Sequence, residues 1–179
     1  ATDYFPEVWL LGSSSYSAQL AAALGLPFTF ADFFGTIGDQ GPLVAELYKT
    51  EFKPSKYLDK PKLNVAIEVL CAPTEEEAIF LGASRNLNRV RRGLGEEFYG
   101  LIPPDEASRY PLTDEVKEHM ERVCGVYIDG TPEQVHEKIM QLCGSYGTSD
   151  VSIVTNCYRF SDRVRSYQLV AEVFGLSSV

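Results

Sequence analysis

Positive charge is in short supply in this chain. Lys and Arg number 16 against 25 Asp and Glu, a formal charge of −9. Nucleic acids and anionic membranes reward clustered cations, so neither is expected as the principal partner. Long apolar runs are missing too: none approaches the roughly 18 residues of a membrane-spanning helix. Histidine is nearly absent, and both examples, His119 and His136, lie in helix-like stretches among Glu and Lys. The four cysteines, Cys71, Cys124, Cys143 and Cys157, fall at spacings that match no zinc or Cys-x-x-Cys pattern. No metal site is expected. Free, mostly buried thiols fit a reducing compartment, which reads as cytoplasm. No signal peptide is visible. The chain starts at Ala1 rather than Met, and part of a longer protein is expected.

What is present is ordinary in amount and informative in order. The 179 residues are 45% hydrophobic and 23% charged, enough for a single domain over 1–179 that buries roughly 70% of its unfolded surface. The most telling stretch runs from Val8 to Ala31. An apolar run (Val8 to Leu11) ends at Gly12, and Ser13, Ser14, Ser15, Tyr16 and Ser17 follow. An Ala/Leu-rich helix then stops at Gly25, and a second apolar run begins at Phe28. This is one βαβ unit. Its turn sits where helix N–H groups lack partners and the helix dipole is positive. Four serine hydroxyls there make a seat for a phosphate. A serine ahead of a helix is equally a simple N-cap, worth about 1 kcal/mol, and the residues by themselves leave both readings open.

Further along, Leu43 to Phe52 has helical spacing, and Lys62 to Ala72 alternates as the clearest strand. Pro73-Thr-Glu-Glu-Glu77 opens a helix running to about Arg92, a Thr cap followed by acids. Gly93 to Leu112 is rich in Gly and Pro, and residues 93–130 read as an insertion. Thr113 to Val123 is a short helix, Gly125 to Gly130 a short extended piece, Thr131-Pro-Glu-Gln-Val135 starts another helix, Val151 to Thr155 is a strand, and Arg159 to Phe174 a terminal helix. Alternating strands and helices argue for an α/β fold with parallel strands. Four principal strands are too few to close a (β/α)8 barrel. They form either an open sheet or half of a barrel. Glu68 sits mid-strand and, if buried, needs a partner. Arg85, Arg89, Arg91 and Arg92 read as a solvated basic face, and Cys71 and Cys157 as small core residues.

The segment Pro6 to Ala31 resembles the phosphate-loop segment of the bacterial luciferase-like, flavin-dependent monooxygenases. Leu47-Tyr48 through Phe52, Pro54 and Ser55 is similar to that family's "LYR..F.PS" connection. Gly130-Thr-Pro-Glu-Gln-Val135 is similar to its "GTPEEV" helix start. Arg163-Val-Arg-Ser-Tyr-Gln-Leu-Val-Ala-Glu172 is similar to its "RLRSYELLAE" last helix. Four separated signals in order cover nearly the whole chain. The resemblance implies the second half, strands five to eight, of a TIM barrel with a helical insertion before the last strand. It implies reduced FMN as cofactor, rather than the deazaflavin of some branches, with its phosphate on Gly12, Ser13, Ser14, Ser15, Tyr16 and Ser17. The implied activity is a monooxygenase that uses O₂ to oxygenate a small organic substrate. Phe33 and Phe34, after the sixth barrel strand beside Asp32, and Asn156 and Tyr158, after the last, are candidates for a substrate pocket. The catalytic residues would lie in the absent first half, and neither histidine matches the family's. The implied partner is that N-terminal half or a second copy of the chain in a homo-oligomer. The alternative is a non-catalytic flavin- or phosphate-binding half-barrel module or interaction subunit.

Overall fold

Leu63–Cys71 (β3) is buried at all nine positions, the pattern of a parallel strand covered on both sides. The chain divides into two compact units, Ala1–Ala66 with Cys143–Ser152, and Ile67–Leu142 with Ile153–Val179. This computed structural model describes residues 6–34, 40–96 and 100–176.

In the first unit, Leu10–Gly12 (β1) pairs in parallel with Phe28–Ala31 (β2), and β2 pairs in parallel with the start of β3. The register sets Leu11, Thr29 and Asn64 side by side in one row. Ser15–Leu24 (α1) and Gly41–Glu51 (α2) are the helices of this unit. Alanines at positions 18, 21 and 22 give α1 a flat, fully buried face. Tyr48 of α2 is fully buried, with its ring 5.4 Å from that of Phe28. Gly25 ends α1 in the left-handed region at φ 60°, where a Cβ would collide with the Lys53 carbonyl and the Ser55 side chain. The last carbonyls of α1 are met from far along the chain. Lys53 N–H donates to Ala22 O at 2.9 Å, and Ser55 Oγ donates to Gly25 O at 2.8 Å.

In the second unit, the end of β3 pairs in parallel with Ile128–Gly130 (β4). Glu75–Gly93 (α3) begins at a Thr74 cap, with three glutamates in its first turn and two arginines in its last. Its buried stripe of Ala78, Leu81, Leu87 and Val90 also carries Arg85. Pro104–Ala107 (α4), Asp114–Cys124 (α5), Pro132–Tyr146 (α6, its residues from Cys143 on belonging to the first unit) and Phe160–Val173 (α7) complete the helices. Val151–Val154 (β5), whose first two residues belong to the first unit, pairs with β3. Leu70, Ala72, Ala78 and Leu81 form a core cluster, against which Cys157 packs.

The α/β reading with a parallel sheet holds. The 93–130 segment contains α4 and α5, the latter at the short helix expected over Thr113 to Val123, and β4 lies within the expected extended piece Gly125 to Gly130. One feature departs from expectation. Arg85 is not on a solvated face: it is 5% exposed.

Candidate functional site

The serine turn begins where β1 ends at Gly12. A Cβ there would collide with the Ser17 side chain, so glycine is needed for the turn to fold this tightly. Ser14 is the N-cap, in extended conformation at φ −138°. Ser14 Oγ accepts from Ser17 N–H at 3.3 Å, while Ser17 Oγ accepts from Ser14 N–H at 3.2 Å and donates to Ser14 O at 2.7 Å. This capping box accounts for the Ser14 and Ser17 hydroxyls. Ser13 and Ser15 have no hydrogen-bond partner among the described residues, and Tyr16 is 73% exposed. The first turn of α1 holds no acid, whereas those of α3, α5, α6 and α7 all do. Helix α2 also lacks one, but it starts Gly41-Pro42 without a side-chain cap. The positive end of α1 is thus left uncompensated beside free hydroxyls and exposed N–H groups.

At the end of β2, Asp32, Phe33 and Phe34 form a single 3₁₀ turn. The two rings lie 4.5 Å apart, and Phe34 is half exposed. Burial raises the Asp32 carboxyl above its usual range, partly offset by a hydrogen bond from the Tyr146 hydroxyl. Tyr146 also rests on Phe30, and Gly41 leaves room for its ring. Asp32 is therefore engaged with an aromatic side chain of α6.

After β5, Asn156 is tied down at two points. Glu68 Oε1 accepts its backbone N–H at 2.7 Å, and Glu68 Oε2 accepts its side-chain amide at 2.8 Å. Thr155 Oγ1 donates to Val69 O at 2.8 Å. Tyr158 is 45% exposed. Glu68, 4% exposed, also lies 3.5 Å from Arg85 Nη1, and the Arg85 fork closes on Asp129. Arg85 further bonds Asn86 and stacks over the Tyr127 ring at 4.2 Å. Burial raises the Glu68 carboxyl, with Arg85 opposing. Burial works against the charge of Arg85, but Asp129 first and Glu68 next outweigh it. The sequence carried a signal for this pair: an acid within an apolar strand, and an arginine four residues after Leu81 on a buried helical stripe.

Among the described residues, no group of His, Cys, Asp and Glu could hold a metal. His119 Nδ1 lies 2.7 Å from Arg122 Nη2, and the His136 ring packs 4.7 Å from Phe174. All four cysteines are free, and burial pushes Cys71 and Cys124 up to about 11.

No protein-family profile matches the sequence. Individual proteins do. The chain is 39% identical over 174 residues to the uncharacterized protein YwcH of Bacillus subtilis (strain 168), covering 94% of this chain and 50% of that protein. It is 30% identical over 167 residues to a luciferase-like monooxygenase of Escherichia coli (strain K12), covering 93% of this chain and 49% of that protein. The chain is homologous to half of a luciferase-like monooxygenase. It spans about half the length of the curated relatives it matches. The crystal structure of apo-MsnO8 superposes on this chain with a TM-score of 0.87 at 29% identity, over 100% of this chain and 54% of that one. The oxygenating constituent of 3,6-diketocamphane monooxygenase from Pseudomonas putida, in complex with FMN, shares the fold alone: TM-score 0.56, 19% identity, 93% of this chain and 47% of that one.

Proposed function

We infer that the chain is the C-terminal, FMN-phosphate-binding half of a luciferase-like TIM barrel, and that its Gly12–Ser17 turn is the phosphate seat. The observation that carries this is the α1 N-terminus: no acid in its first turn, and two serines without partners beside it. The Ser15 and Tyr16 N–H groups and the Ser13 and Ser15 hydroxyls would hold the phosphate. The Ser14–Ser17 capping box would keep the turn rigid, and Gly12 would allow its close return. When bound, reduced flavin supplies the electrons that let O₂ oxygenate a small organic substrate. The protein's part is to fix the cofactor and keep water away. Phe33 and Phe34 at the end of β2, and Asn156 and Tyr158 at the end of β5, are proposed as substrate-side residues. Free thiols suit the cytoplasm. The half-length match supports a second reading, a flavin- or phosphate-binding module without catalysis of its own.

The test is a titration with FMN, and with riboflavin as control, of the chain alone and with the other half of YwcH supplied. FMN should bind saturably and more tightly than riboflavin. Ser15→Glu places an acid in the first turn, which favours a helix, yet sets it against a phosphate. It should leave thermal stability unchanged or raised and weaken FMN binding by roughly tenfold or more. Equal affinity for both flavins, or unchanged FMN affinity in the variant, would overturn the assignment.

A further inference from the structure

Within the first unit, a polar hollow of about 320 Å³ is lined by Trp9, Thr29, Asn64, Asp150 and Ser152. Thr29 and Asn64 are register partners, in a row that continues to Leu11, which is 58% exposed. The neighbouring residues Phe28, Phe30 and Val65 are fully buried. Parallel sheets are normally covered on both faces, and this row has an exposed end.

The hollow has more acceptors than its own donors satisfy. Asn64 is 5% exposed, and its Nδ2 donates to Asp150 Oδ1 at 2.7 Å, while its Oδ1 has no partner. A buried amide oxygen left unpaired is costly. Among the described residues, no cation of the chain pairs with Asp150, and the hydroxyls of Thr29 and Ser152 are unbonded. The nearby Lys62 is committed elsewhere, to Glu7 at 2.9 Å and to the Trp9 ring at 4.7 Å. One carboxylate, one orphan amide oxygen and two hydroxyls are the surroundings of a cationic side chain.

We propose that this hollow is a docking seat for an Arg or Lys side chain of the half of the protein that the relatives carry and this chain does not span. The proposal rests on the half-barrel reading, and uses no property of the flavin turn. The occupant is set by the length comparison, since the relatives are about twice as long as the matched region, and by the excess of acceptors.

The experiment mixes the 179-residue chain with the other half of YwcH, without flavin, and follows association by analytical ultracentrifugation and by Trp9 emission. Trp9 is the only tryptophan of the chain, so tryptophan-free partner protein makes it a local reporter. Association with a blue shift of Trp9 is expected. Asp150→Asn, which keeps the side chain's shape, should weaken association roughly ten- to hundredfold, the range for one charge-assisted bond. Glu51→Gln, the same charge change outside the hollow, should leave association unaltered. Equal loss in Asp150→Asn and Glu51→Gln, association without a Trp9 shift, self-association of the chain that buries Trp9, or no association would each overturn the proposal. Failure of FMN binding with intact association would instead count against the phosphate seat alone.

Discussion

Tyr48 shows how much one side chain can organise. Its hydroxyl lies 2.9 Å from Leu26 O and 3.2 Å from Lys62 O, and accepts from Lys62 N–H at 3.1 Å. It thus joins the residues ahead of β2 and β3. Tyr48→Phe leaves Leu26 O and Lys62 N–H without this partner, and a loss of about 1–3 kcal/mol is expected in urea unfolding. Arg85 is more demanding still. Arg85→Met abandons Glu68 and Asp129 together, and a loss of about 3–5 kcal/mol is expected by the same measurement. Glu68 also sets a pH dependence. Burial raises its folded-state pKa above the unfolded value, so the folded protein holds the proton more tightly. Its contribution to stability therefore falls as pH rises from the ordinary glutamate range through the raised value. Asp32, raised by burial as well, acts in the same direction. Urea midpoints measured across this interval should decline with pH, and Glu68→Gln should flatten the slope whatever it does to the midpoint.

At the scale of elements, the helices with strong ends were legible. Thr74 followed by three glutamates, and Thr131 followed by Pro132, announce α3 and α6 because caps and first-turn charges are local physics. The nine-residue β3 was legible for its alternating run of Leu63, Val65, Ile67 and Val69. β4 was legible only as part of the extended piece Gly125 to Gly130, because three residues become a ladder strand only through the partner that receives them at Val69–Cys71. The burial of Arg85 was signalled only by its place on the α3 stripe and by the acid Glu68 in an apolar strand; its other partner, Asp129, arrives from a further element. The serine turn was visible as a turn, but the division of labour within it was not: spacing alone does not say that Ser14 and Ser17 bond each other and leave Ser13 and Ser15 free. The end of α1 supplies a test at this scale. Gly25→Ala forces an alanine into the left-handed region and against Lys53 and Ser55, and should cost more than about 1–2 kcal/mol in thermal or urea unfolding.

The whole chain carries a charge of −9 and four free thiols. Cys71 and Cys124 are buried and raised to about 11, whereas Cys143 and Cys157 are partly accessible. A thiol reagent at neutral pH should label Cys143 and Cys157 in the native chain and reach Cys71 and Cys124 only on unfolding, as mass spectrometry of labelled peptides would show. Among the described residues, no helix is long and apolar enough to cross a membrane. The closure of α1 by Lys53 and Ser55 also has a consequence for synthesis. A chain emerging from the ribosome completes the sequence of α1 well before it makes the residues that satisfy the helix's last carbonyls. Until the segment after α2 is out, Gly25 O lacks its Ser55 partner and Ala22 O has only the nearby Gly25 N–H. The first βαβ unit therefore matures in a delayed step, when residues 53–55 clear the exit tunnel, and not when its own last residue does.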